Sequence, residues 1–304
     1  MRMIFRVSSC AALVLGLAWI CGKPATTATA QELLPDESAA KAKQVLQQAI
    51  TALGGQAYLD VRDSDCVGRI SQFGTVGDAA ENTEFRELRL LPDKNRMEYT
   101  TKSQHSFIQL ILGAGDLYLT HGGALVTIFN GDQGWQLDKA GVSDDPEEMV
   151  KDFKEQLKSD MNNMLRARLK EPGVEASYAG PDLIDMKESE WIEFTDRDHR
   201  NLRLGIDKLT HLPLRWVITT RDPETRQFAE VSTKYTQYMT QDGVKAPLSL
   251  EITRNDRRVS QTFLSSCKFN SGLDPELFTR AALEQRASQE TKKGFKDKDS
   301  KKTK

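Results

Sequence analysis

The sequence predicts an α+β chain that is mainly β: a long antiparallel sheet, an N-terminal helix and one internal helix. Three observations carry this. First, in the second half of the chain apolar and polar residues alternate, as Leu202, Leu204 and Ile206 do against Asn201, Arg203 and Gly205. Period two means a strand with one apolar and one wet face. Second, turn chemistry separates the runs, at Asn130-Gly131-Asp132, Asp222-Pro223-Glu224-Thr225 and Asp242-Gly243. Third, two stretches repeat apolar residues at helical spacing instead. Two helices do not easily cover the apolar face of roughly ten strands. The sheet therefore either curls round them and leaves an apolar hollow, or closes into a sandwich.

The chain opens on a targeting segment. Arg2 and Arg6 precede the apolar run from Val7 to Ile20, and Ala28-Thr29-Ala30 is an A-x-A cleavage site. A signal peptide over residues 1–30 is expected, cut after Ala30 to give a periplasmic or secreted protein. Ile20 is bulkier than the residue a lipobox places before its cysteine, which argues against acylation of Cys21. The remaining body, 31–280, reads as one domain.

The 304 residues carry a formal charge of −2. The first 30 hold three basic and no acidic residues, and 291–304 holds seven lysines and two aspartates, which leaves the body acidic by about ten charges. An acidic body argues against nucleic acid as partner. The segment 281–304 reads as a charged, disordered tail.

In order, Pro35-Asp36-Glu37 places acids at the start of a helix, where the helix dipole favours them. Ala42, Val45, Leu46, Ala49, Ile50 and Leu53 form its stripe, and Gly54-Gly55 stops it. Strands are expected at 66–73, 85–91, 96–101, 107–112, 117–119 and 125–129. The last leads into a hairpin from Val126 to Leu137 with Trp135 as its apolar anchor. Asp144-Asp145-Pro146 starts one long helix to Leu169, closed by Pro172-Gly173. Met149, Met161 and Met164 lie on its stripe; they are either ordinary core or an adaptable lid. Strands follow at 191–195, 202–206, 212–218, 228–238, 244–252 and 259–269, the last with Phe263, Cys267 and Phe269 on one face. Residues 273–278 end the fold as a short helical turn.

Cys66 and Cys267 remain after the signal peptide, on the first and last long strands. Either they are separate thiols, or they form a bridge tying together the ends of a curved sheet. His105, His121, His199 and His211 are scattered, with no pair at ligand spacing, so no metal site is expected. No nucleophile elbow, phosphate loop or H-E-x-x-H occurs. No catalytic residue and no cofactor are expected.

The hairpin Asn130-Gly131-Asp132-Gln133-Gly134-Trp135, the helix ending at Gly54-Gly55, the strand entry from Leu209 to Trp216, Gly243-Val244-Lys245-Ala246-Pro247 and the closing Asn270 to Phe278 occur in an order that resembles the outer-membrane lipoprotein-sorting (LolA-like) superfamily. The likeness is to its uncharacterised secreted branch. The resemblance implies a curved antiparallel half-barrel with an N-terminal helix and an internal lid helix around an apolar cavity. It also implies a lipid or lipoprotein acyl chain as ligand, with membrane or envelope proteins as further partners. A sensor or adaptor using the same fold for protein contacts is the alternative. The apolar rows nominate Leu202, Leu204, Leu214, Trp216, Ile218, Leu248, Leu250, Ile252 and Phe263 as the cavity wall, and Met161 and Met164 as the lid.

Overall fold

The computed structural model describes residues 33–74, 79–99, 126–138, 140–221 and 226–289. The expected signal peptide, the strands at 107–112 and 117–119 and the lysine-rich end lie outside these residues. The unit from Leu34 onward holds every element below. Helix α1 spans Pro35–Ala52, with Pro at its first turn, Asp36 and Glu37 beside it, and Ala42, Val45, Leu46, Ala49 and Ile50 buried. Gly54, at φ 126°, ends it against the turn at Gly243, where a Cβ would fall 2.3 Å from the Gly243 carbonyl oxygen. Only glycine allows that approach. A single turn, α2, covers Gln56–Leu59.

Among the described residues thirteen antiparallel strands then form one open sheet. They are β1 Asp63–Phe73, β2 Ala79–Leu90, β3 Lys94–Tyr99, β4 Val126–Asn130, β5 Gln133–Asp138, β6 Gly141–Asp144, β7 Glu175–Ile184, β8 Lys187–Thr195, β9 Asn201–Asp207, β10 Pro213–Arg221, β11 Phe228–Gln241, β12 Val244–Arg254 and β13 Arg257–Phe269. The order is β6-β5-β4-β3-β2-β1-β13-β12-β11-β10-β9-β8-β7. Every pairing but β1 with β13 joins sequence neighbours. Cys66 and Cys267 are opposite each other in that pairing and are joined by a disulfide, with Cα atoms 4.0 Å apart. The first and last strands are thus neighbours in the middle of the sheet. The bridge staples its centre and does not tie its ends.

The edges are β6 and β7, and the chain between them has to cross from one to the other. That crossing carries the internal helix, and it differs from the single helix expected over 144–169. It comprises α3 at Glu147–Ser159, α4 at Met161–Arg166 and a 3-10 turn at Arg168–Lys170. The break is at Asp160, whose extended backbone starts a new helix and whose carboxylate accepts from the Asn163 amide at 2.8 Å. An N-cap inside an apolar stripe outweighs the stripe.

Two cores result. On one face α1 and α4 pack on β8–β12 through Leu46, Met164, Ile192, Phe194, Leu202 and Leu204. On the opposite face Leu88, Ile128, Trp135 and Leu137 meet Phe278 and Leu283. Phe278 ends a second 3-10 turn, Pro275–Phe278, and Leu283 belongs to α5, residues 280–289. The tail expected from residue 281 therefore begins as an ordered helix with Leu283 buried.

Candidate functional site

A cavity of about 570 Å³ lies between α3 and the sheet face opposite Trp135. That volume is within the range of small-molecule sites. Its apolar lining runs strand by strand: Met97 and Tyr99 on β3, Phe85 on β2, Ile70 on β1, Leu264 on β13, Leu250 and Ile252 on β12, Val231 and Tyr235 on β11, Trp216 and Ile218 on β10. Phe129 on β4 continues it, and Phe153 and Leu157 of α3 with Met161 of α4 form the other wall. Period-two rows on neighbouring strands make this wall, as one apolar face of a sheet requires.

The sequence nominees divide into three groups. Trp216, Ile218, Leu250, Ile252 and Met161 line the cavity. Leu202, Leu204 and Met164 are buried beneath α1 in solid core. Leu214, Phe263 and Leu248 are elsewhere, and two bulges account for the first two. Between Pro213 and Arg215 the register slips against β9, and Leu214 joins Ile184, Trp191 and Val217 in a separate cluster. In β13 the slip between Leu264 and Ser266 puts Thr262 and Leu264 on the cavity side and leaves Phe263 42% exposed. A one-residue slip reverses faces, so the expected row of Phe263 with Cys267 and Phe269 does not form. Leu248 is half-buried and outside the lining. Sequence reading missed Ile70, Phe85, Met97, Tyr99 and Leu264. All five sit on expected strands; the first four lie in the first half of the chain, where no wall residue is nominated, and Leu264 reaches the cavity through the bulge that turns Phe263 outward.

Polar groups also line the cavity. Arg89 donates to Glu87 at 2.8 Å, and Asn95 donates to the same carboxylate at 2.8 Å. Lys94 donates to Asn130 at 2.5 Å. Where α3 ends, Asp196 accepts from Arg168 at 2.9 Å and from Arg200 at 2.7 Å. Burial alone would raise the Asp196 pKa, but these bonds hold it well below the usual carboxylate range. Arg200 also bonds Glu155 of α3 and, at 2.7 Å, Asp198. The neighbouring Lys154 of α3 pairs with Asp132. Phe153 stacks on Phe129 with centroids 4.4 Å apart. One turn of the lid helix, Phe153 to Glu155, thus makes the ring stack and both charge contacts.

Among the described residues no cluster of His, Cys, Asp and Glu could hold a metal ion. The arrangement can enclose an apolar body and meet polar atoms of its lining.

No protein-family model matches the chain, and no curated sequence does. Solved structures do match. A DUF1329 family protein from Desulfovibrio piger superposes with a TM-score of 0.53 at 11% identity, over 80% of this chain and 98% of that one. A putative outer membrane lipoprotein-sorting protein domain from Vibrio parahaemolyticus does so with a TM-score of 0.51 at 14% identity, over 81% and 99%. The fold is the one these two structures share with the chain: an open antiparallel sheet with a few helices. The resemblance read from the hairpin and its companions is therefore one of fold.

Proposed function

We propose that this protein is a carrier or binder of lipid-like ligands, taking an acyl chain between the sheet and α3. The observation that supports this is the cavity itself: a largely apolar wall spanning β1–β4 and β10–β13, with Glu87, Arg89, Asp160 and Arg200 among its charged lining residues. Burying a methylene is worth about 0.8 kcal/mol, so roughly ten offer about 8 kcal/mol before ordering costs. Reversible carriage needs no more, and no catalytic group. The matching lipoprotein-sorting domain has the same fold, and the sorting of outer-membrane lipoproteins is one setting for such a carrier. No helix among the described residues is long and apolar enough to cross a membrane, which suits a protein released into the periplasm or the medium after cleavage at Ala30. Native mass spectrometry of the purified mature protein, with displacement of a fluorescent fatty acid, tests the reading. An empty protein that leaves the probe's emission unchanged would refute it.

A second reading, contact with envelope proteins, has its own observation. Met186 is 95% and Leu209 88% exposed, on the turns that follow β7 and β9. These turns are adjacent, since the Lys208 amide donates to Glu188 at 2.9 Å. Exposed apolar side chains grouped this way suit a protein partner. Changing both to serine should remove partner capture and leave probe binding as it was.

A further inference from the structure

Asp145 lies between β6 and α3. Its amide donates to the Gly134 carbonyl at 2.9 Å. Its side chain rests on Gly134 so closely that a Cβ there would fall 2.9 Å from Asp145 Oδ2, and 3.1 Å from Phe129 Cδ1. The residue is 9% exposed, and neither carboxyl oxygen has a hydrogen-bond partner among the described residues. A charge buried in that way is costly, so the acid keeps its proton. Burial first, and Asp144 second, push its pKa up to about 7.

The surrounding ionisable groups do not relieve it. Asp144 on β6 has the same sign and is bonded to Arg280 of α5 at 2.5 Å. Asp132, in the turn before β5, takes Lys154 of α3. Glu147 and Lys151 of α3 lie in the same cleft and neither bonds Asp145. Strands β4 and β5 offer Phe129, Gly134 and Trp135, which do not ionise. The next residue, Pro146, is the N-cap of α3, and Met149, Val150 and Phe153 of that helix pack on Phe129. Whatever moves Asp145 moves the root of the lid.

We propose that Asp145 is an acid-operated catch for α3. Protonated, it lets the helix seat on β4 and β5. Ionised, it draws the segment 145–146 toward water and unseats the helix. The catch does not depend on the cargo reading, because its readout is the helix and not the ligand.

In the seated form the carboxyl titrates at about 7, against an ordinary value of 3.8 when free. Linkage then raises the opening equilibrium about tenfold per pH unit between those values and levels it off above pH 7. From pH 5 to pH 8 the rise is on the order of a hundredfold. Hydrogen exchange of the α3 amides tests this, corrected for the intrinsic pH dependence of exchange and compared between wild type and Asp145→Asn. Wild-type protection should fall about a hundredfold and then level off, while Asp145→Asn stays flat. Parallel curves for the two proteins, or no fall in wild type, would overturn the proposal. Should Asp145→Asn not fold, carbon NMR of the aspartate carboxyls in wild type decides instead. A titration of Asp145 near 7 supports the catch, and one near 4 overturns it.

Discussion

The indole of Trp216 donates its Nε1–H to the Ser159 carbonyl at 2.8 Å, and both residues are buried. Ser159 is the last residue of α3, so its carbonyl has no partner inside the helix. A side chain of the cavity wall supplies one and so fixes where the lid turns into α4. Trp216→Phe keeps an aromatic ring and loses the donor. It should cost about 1–3 kcal/mol, because a buried carbonyl is left unbonded. Denaturant unfolding measures the loss, and faster exchange at 157–159 would place it. Trp216→Lys should abolish fatty-acid binding outright.

Asp196 ties the far end of that lid to the turn after β8, through Arg168 and Arg200. Its side chain is 2% exposed. Its folded-state pKa lies below the unfolded value of 3.8. Its stabilisation is therefore whole at neutral pH, and is lost as the pH falls below that value toward the folded one. Asp196→Asn leaves two guanidinium groups short of charge and should cost about 3–5 kcal/mol at pH 7. The difference between variant and wild type should shrink at pH 3. Urea midpoints at the two pH values check both statements, and an equal difference at both would count against this assignment.

The disulfide closes a sequence separation of 201 residues in the centre of the sheet. Cross-linking removes freedom chiefly from the unfolded chain, so replacing both cysteines with serine should cost roughly 2–5 kcal/mol. The fold and the cavity should survive, because β1 and β13 keep their ladder on both sides of the pair. Comparing unfolding midpoints with and without reductant, for wild type and the double variant, gives the figure. The variant should not respond to reductant.

Most of the sheet was legible, because period two is a local signal that burial of one face enforces. The strands from β8 to β13 appear close to their expected limits. Strand β7 is not among the expected strands: in Glu175–Ile184 the apolar alternation is short, Ala176 and Tyr178, and is followed by Gly180 at φ 103° and Pro181. It persists because Ser38 of α1 bonds both the amide and the carbonyl of Tyr178 along its open edge. That contact spans 140 residues and leaves no local trace. The bulges that turned Leu214 and Phe263 away are equally silent, since each depends on register with a neighbouring strand. The lid break had a readable signal, Asp160 followed by Asn163, which the apolar stripe through Met161 and Met164 obscured. Trp135 was legible as an anchor but not as to side; it holds α5 on the face away from the cavity.

The cavity reading depends on separating wall from core, and two leucines do so. Leu202 is buried beneath α1 with Ile192 and Phe194 and does not touch the cavity. Leu250 lines it, and is only partly buried because the space in front of it is open. Leu202→Ala should therefore cost about 2–5 kcal/mol by leaving a void in packed core, while the folded fraction binds fatty acid as wild type does. Leu250→Trp should do the reverse. The larger ring extends into free volume, so stability changes by less than about 1.5 kcal/mol, while the acyl chain loses several methylenes of contact. At about 0.8 kcal/mol each, three displaced methylenes weaken binding by more than tenfold. Thermal unfolding and probe titration on the two variants give a crossed pattern if the wall is rightly placed. If Leu250→Trp binds the probe unchanged, the ligand site is not this cavity.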